Sequence, residues 1–319
     1  MSNINVTKEW VLAEDGTPFY TTKWAPVSET PKAYVLFVHG YAEHIARYDH
    51  FFPLLAAPPH SLHVTAYDQR GHGRTAYEPL TEASPQTGGW AQMLPDMEFF
   101  VKRESERAVK KGKKLFLWGH SMGGGQTLAF ATRPSAPPSP STLSLLTGCI
   151  ASSPLIRQTH PASSIKTTAG GLAARLTPNL LIPTPLKYED LSHDSAMNES
   201  NRLDPMCEQR GSVLGVSDML QGGMGLDTAE TWKRWPKGLG LMMYHGSADG
   251  ICDPEATKRF FAGVDAPHKR LDIIEGMRHE THNELAPTPE HVAKMVAEWV
   301  HEMADGSAGV AGSTGQSKL

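Results

Sequence analysis

Two rhythms alternate along this chain. Short apolar runs at residues 34–38, 62–67, 115–118, 145–151, 239–244 and 271–274 read as strands buried on both faces. Between them, residues 47–56, 93–111, 122–131, 254–262 and 289–303 read as helices, with 93–111 long and amphipathic. Residues 5–12 and 17–24 flank Glu14-Asp15-Gly16, a hairpin signal, and predict two antiparallel opening strands. Strands alternating with helices predict an α/β fold: a mostly parallel sheet covered by helices on both faces.

The rhythm breaks over residues 152–229, where Pro and Gly are frequent and no strong strand is readable. This stretch is expected to be a cap inserted between two core segments, 1–151 and 230–303. Within it Ile165, Ala169, Leu172, Ala173 and Leu176 share one helical face, followed by the apolar Leu180-Leu181-Ile182. The stripe fits either core packing or an exposed lip that touches lipid or guides an acyl chain. Residues 304–319, low in bulky side chains, are expected to be a disordered tail.

Composition narrows the function. In 319 residues, 30 Lys and Arg against 34 Asp and Glu leave a net charge of −4, so no electrostatic footprint for nucleic acid is expected. Cys149, Cys207 and Cys252 are widely spaced and odd in number, which argues for a reducing compartment and against a disulfide framework or a zinc site. No apolar run reaches the length of a membrane span and residues 1–5 carry no signal-peptide pattern, so a soluble or peripherally attached protein is expected.

The chemistry centres on Gly119-His120-Ser121-Met122-Gly123, between an apolar strand and a helix. Such a strand, Gly-x-Ser-x-Gly, helix sequence forces a serine hydroxyl out at a strained turn, with the helix N-terminus aimed at any oxyanion beside it. A serine nucleophile needs a base, and the base an orienting carboxylate, in the chain order Ser, acid, His. Asp249, just past the strand at 239–244, is the candidate acid. Its rival Asp253 precedes Pro254 and reads as a helix N-cap. His279, in the loop after the last core strand, is the candidate base, with His282 as the alternative. Val38-His39-Gly40-Tyr41-Ala42-Glu43-His44 occupies the place of an oxyanion loop, so the N–H groups of Tyr41 and Met122 are the candidate oxyanion donors. The segment from Asp68 to Arg74 reads as a strand-end scaffold without a catalytic role. Glu43 and Arg47 fit either a headgroup contact or a structural ion pair.

Together, His-Gly-Tyr-Ala-Glu-His (39–44), Asp-Gln-Arg-Gly-His-Gly (68–73), Gly-His-Ser-Met-Gly-Gly (119–124), Gly-Ser-Ala-Asp (246–249) and Gly-Met-Arg-His-Glu-Thr-His (276–282) make the chain resemble monoacylglycerol lipases of the α/β-hydrolase superfamily, over residues 5–303. The resemblance implies Ser121 as nucleophile, Asp249 as acid, His279 as base, and Tyr41 with Met122 as oxyanion hole. It also implies that Glu43, Arg47 and His282 face a glycerol headgroup, that the cap carries an acyl channel and a lipid-facing lip, and that no cofactor or metal is needed. Ala42 departs from the family's usual glycine, and Thr75 from its usual serine.

The activity expected is cleavage of monoacylglycerol to fatty acid and glycerol through an acyl-enzyme on Ser121. The alternatives are lysophospholipase or other fatty acyl esterase activity, acyl transfer, and a non-catalytic hydrolase-fold interaction protein. The last residues, Ser317-Lys318-Leu319, match the address read by the peroxisomal import receptor, against a family tendency towards lipid droplets and endoplasmic reticulum surfaces.

Overall fold

The computed structural model describes residues 3–27, 29–78, 85–161, 175–306 and 313–317. The strands are β1 (Ile4–Leu12), β2 (Pro18–Pro26), β3 (Tyr34–Val38), β4 (His63–Tyr67), β5 (Leu115–His120), β6 (Gly148–Ser152), β7 (Leu181–Pro183), β8 (Arg210–Ser212), β9 (Gly240–Gly246), β10 (Lys269–Ile274) and β11 (Ser313–Ser317). The helices are α1 (Phe52–Ala56), α2 (Gly73–Tyr77), α3 (Trp90–Lys110), α4 (Met122–Thr132), α5 (Pro140–Leu143), α6 (Ser195–Leu203), α7 (Val213–Leu226), α8 (Ala229–Trp232), α9 (Pro254–Gly263) and α10 (Thr288–Asp305). One sheet runs in the order β1-β2-β4-β3-β5-β6-β9-β10-β11. β2 pairs antiparallel with both its neighbours, and all the other pairings are parallel.

Strand periodicity sorts the core into two layers. On β3, Tyr34, Leu36 and Val38 pack with Leu94, Met97 and Phe100 of α3 and Leu128 and Phe130 of α4. Val35 and Phe37 point to the other face, against Phe52 and Leu55 of α1 and Val292, Val296 and Trp299 of α10. Helices therefore cover both faces, as the alternating pattern predicts.

Three expectations are corrected. The helix expected over 47–56 is broken into a 3₁₀ turn, Ile45–Tyr48, and the short α1. Pro53 is the reason: it has no N–H to donate to an earlier turn, so it fits only near a helix start. The strand expected at 145–151 begins at Gly148, because α5 and its following turn occupy residues 140–146. In the tail, residues 304–305 finish α10, and Ser313–Ser317 pairs in parallel with β10, with Leu271 opposite Thr314. A strand edge asks only for backbone N–H and C=O groups, which a Ser/Gly/Thr segment offers despite its lack of bulk. Lys318 and Leu319 lie outside the described residues.

Between β6 and β9 the chain forms α6, α7 and a small sheet of β7 and β8, paired antiparallel. Most of the expected apolar stripe, including Ile165, Ala169, Leu172 and Ala173, falls outside the described residues, while Leu176 and Leu180 are exposed. No described helix is long and apolar enough to cross a membrane.

Candidate active site

Ser121 sits between β5 and α4 with φ 53° and ψ −116°, a conformation that L-residues adopt only where the surroundings force it. The glycines around it are a matter of space. A Cβ on Gly119 would strike the Gly123 carbonyl, and one on Gly123 the Val38 carbonyl. The close crossing of β5, α4 and β3 thus holds the serine at the strand ends. Backbone bonds fix it further: Ser121 N–H donates to the Ser152 carbonyl at 2.9 Å, and its own carbonyl accepts from Gly125 and Leu155. Met122 is the first residue of α4, so its N–H lies ahead of the helical ladder and is free to face an anion.

Asp249 follows β9 and carries four donors. His279 Nδ1 lies 2.7 Å from Oδ2 and His245 Nε2 2.8 Å from the same oxygen, while Ile251 and Cys252 N–H reach Oδ1 at 2.7 and 2.9 Å. Burial works to raise this carboxyl, but the His279 charge and the two histidine hydrogen bonds outweigh it and hold Asp249 well below the usual carboxylate range. Burial correspondingly works to lower His279, and the Asp249 charge and hydrogen bond overcome it, leaving the imidazole raised. Asp253 takes the structural place expected of it, accepting from Glu255 N–H at 2.9 Å as the N-cap of α9.

The loop after β3, where the oxyanion donors are expected, is framed by the segment after β4. Asp68 Oδ1 accepts from Ile45 N–H at 2.8 Å and Oδ2 from Arg74 N–H at 2.7 Å, and burial lifts this carboxyl to about 6. His39 Nε2 accepts from Gln69 N–H at 2.8 Å, so Nδ1 carries the proton and donates to the Gly40 carbonyl at 2.7 Å. Thr75 Oγ1 donates to the Asp68 carbonyl at 2.7 Å and accepts from Tyr20 N–H at 3.0 Å, a role a serine hydroxyl would fill equally. Ala42 has φ 52°, so a residue with a Cβ sits in a conformation that favours glycine.

Glu43 and Arg47 form a buried charge cluster. Glu43 accepts from Gly40 N–H, from Tyr48 Oη at 2.9 Å and from Arg47 at 3.0 Å. Arg47 also makes a two-pronged pair with Glu280, both contacts at 2.7 Å. Sequence reasoning did not single out Glu280, although it directly follows His279.

A cavity collects these groups: Ser121 and His279, Gly40 and Tyr41, Glu43, Arg47 and Glu280, with an apolar wall from Leu155, Leu186, Leu191, Met219, Leu220 and Ile251. His282 does not line it. Its ring stacks on Tyr48 at 4.5 Å and meets His120 edge-on at 4.8 Å, with burial lowering it to about 3. The expectation that it faces a headgroup is corrected accordingly: after His279 the chain enters a 3₁₀ turn, Thr281–Asn283, which carries the ring into the core. Cys252 is fully buried on the cavity wall, its thiol pushed well up by burial and by Asp249.

The segment between β6 and β9 is fastened to the loops that carry Tyr41 and His279. Tyr41 Oη meets Thr184 Oγ1 at 2.8 Å, His44 Nε2 meets Asp204 Oδ2 at 2.9 Å, and Glu280 N–H donates to the Leu191 carbonyl at 2.7 Å. His44, Asp204 and Cys207 bring their ligand atoms within 4.8 Å of one another, the one grouping among the described residues able to offer a cation three donors. Arg47 faces the Cys207 thiol, so a cation there would meet a fixed positive charge.

A strained serine at the strand-to-helix elbow, an acid and a histidine on successive loops, and this sheet order define an α/β-hydrolase of the serine hydrolase type. The chain belongs to the Hydrolase_4 family, described as serine aminopeptidase, S33, whose model matches residues 29–286. It is 30% identical over 290 residues to a putative monoglyceride lipase of Schizosaccharomyces pombe, covering 89% of this chain and 71% of that relative. The mouse monoglyceride lipase is 27% identical over 304 residues, 92% of this chain and 91% of its own. Among solved structures, a soluble variant of the Saccharomyces cerevisiae monoglyceride lipase in complex with a substrate analog superposes with a TM-score of 0.82 at 25% identity, covering 95% and 97% of the two chains.

Proposed function

We propose that this enzyme cleaves monoacylglycerol to free fatty acid and glycerol, with Ser121 as nucleophile, His279 as base and Asp249 as the acid that orients it. The observation that carries the reading is the 2.7 Å bond from His279 Nδ1 to a buried Asp249 oxygen, in a cavity that His279 shares with Ser121. In the mechanism, His279 Nε2 takes the Ser121 proton as Oγ attacks the ester carbonyl. The developing oxyanion turns to the N–H groups of Tyr41 and Met122, each typically worth about 2.7–4 kcal/mol of transition-state stabilisation. The alcohol leaves with the proton from His279, and water, activated by the same base, releases the fatty acid.

The apolar cavity wall suits an acyl chain, and the names of the relatives support the glycerol ester. Arg47 lines the cavity, whereas both Glu43 oxygens are taken up, Oε1 by Gly40 N–H and Tyr48 Oη and Oε2 by Arg47 itself. The exposed Leu176 and Leu180 support contact of the cap with a lipid surface.

The test is hydrolysis of a panel of mono-, di- and triacylglycerols and lysophospholipids by the purified protein, with Ser121→Ala as control. Preference for monoacylglycerol and loss of fluorophosphonate labelling in Ser121→Ala are expected. A preference for lysophospholipid would move the substrate, and persistent labelling of the variant would remove Ser121 from its role.

A further inference from the structure

His245 is the penultimate residue of β9, and strand alternation sets its side chain opposite to Tyr244, on the face that carries α9. There it is completely buried and bridges two side chains, with Nε2 2.8 Å from Asp249 Oδ2 and Nδ1 2.8 Å from Thr257 Oγ1 of α9, the Cys252 carbonyl lying farther from Nε2 at 3.2 Å. An ionised carboxylate only accepts, so Nε2 must carry a proton. The Thr257 hydroxyl can donate to Nδ1 or accept from it, so the Asp249 bond survives either state of the ring. Oδ2 is the same oxygen that receives His279 Nδ1–H at 2.7 Å. Two imidazoles therefore share one oxygen of the acid, while two backbone N–H groups hold the other.

We propose that His245 is a positioning residue of the reaction: it fixes the Asp249 carboxylate in the plane of His279 and draws off part of the negative charge on Oδ2. Without it, Oδ2 would turn its full charge on His279, the imidazolium would be over-stabilised, and the base would be blocked at neutral pH. The inference rests on the assignment of Asp249 and His279 as acid and base.

The experiment compares His245→Leu, His245→Gln and Thr257→Val with wild type, each checked for folding by circular dichroism and thermal melting. His245→Leu is expected to lower kcat by roughly tenfold or more, the scale on which outer partners of reactive groups act, with little change in KM. Its acid limb of kcat/KM should move to higher pH. The other groups facing His279 are Asp249, Glu280, Glu43, His120 and His282, and beside Asp249 lies Cys252, which Asp253 also faces; all stay unchanged in these variants. His245→Gln, which keeps a donor near the Nε2 position, should recover most of the loss. Thr257→Val should move kcat and the limb in the same direction, by less.

A folded His245→Leu with wild-type kcat, a fall in kcat with the limb unmoved or moved to lower pH, or a Gln variant as poor as Leu would overturn the proposal. If His245→Leu does not fold, Thr257→Val decides alone: wild-type turnover and limb overturn it. Asp249→Asn separates the two readings, because full turnover in that variant would reject the acid itself, whatever His245 does.

Discussion

Asp249, behind His279, and Glu43, on the cavity wall, are carboxylates on two loops, each only 3% exposed, yet burial and partners shift them in opposite directions. Burial pushes both up. Asp249 overcomes it because two histidines aim their N–H groups at one oxygen and two backbone N–H groups take the other. Glu43 does not, because Arg47, its cation, is committed on two prongs to Glu280, whose own charge repels Glu43. Glu280 captures the benefit and lies well below the usual carboxylate range. Burial alone therefore says little about a carboxylate's state; the share of the nearest cation decides it.

The largest effect that tests this contrast is on turnover. Asp249→Asn should leave the fold intact and lower kcat by about 10⁴, since the amide favours the wrong imidazole tautomer. Glu43→Gln keeps an acceptor for Gly40 N–H and removes the repulsion with Glu280, so its loss should stay within about tenfold, the worth of one ordinary hydrogen bond. Equal losses in steady-state assays would erase the distinction between the loops.

Next comes stability. Arg47→Ala strands two buried carboxylates and is expected to cost about 3–5 kcal/mol in urea unfolding. A loss below about 1 kcal/mol would mean that water reaches the cluster and that the charges were never isolated.

The pH profile sharpens the acid side. In the proposed mechanism His279 must be neutral to accept the Ser121 proton, and its folded pKa is raised above the ordinary 6.5. Activity should therefore be lost as pH falls through a limb lying above 6.5, and kcat/KM against pH reads it directly. A limb in the carboxylate range would place the controlling proton elsewhere.

The smallest effect lies in the oxyanion loop. Ala42→Gly relieves a positive φ and should stabilise the protein by about 0.5–1 kcal/mol in thermal unfolding, less whatever the added freedom of the unfolded chain returns. Destabilisation would show that the Ala42 methyl packs usefully enough to offset its backbone strain.

Much of this was legible in the chain. The apolar runs specified which strands are buried, because a parallel strand under two helix layers has no polar face to interrupt it. The elbow was readable because Gly119 and Gly123 answer a local steric need, and Asp249 and His279 because each follows a strand end. Other features had no local signal. His245 falls just past the strand expected at 239–244 and carries no signal until β9, which runs on to Gly246, turns it onto Asp249, and Glu280 carries none until Arg47 arrives from 233 residues away. The periodicity at 47–56 hid the break at Pro53, and the spacing of His282 suggested a headgroup contact that the 3₁₀ turn after His279 removed.

The sequence by itself determined the layers and the order of the reactive residues, since both follow from side-chain period and from glycines required within a few residues. Tertiary structure alone decided which charges share a partner, because ionisation at this site depends on distances between loops that the chain brings together only when the sheet closes.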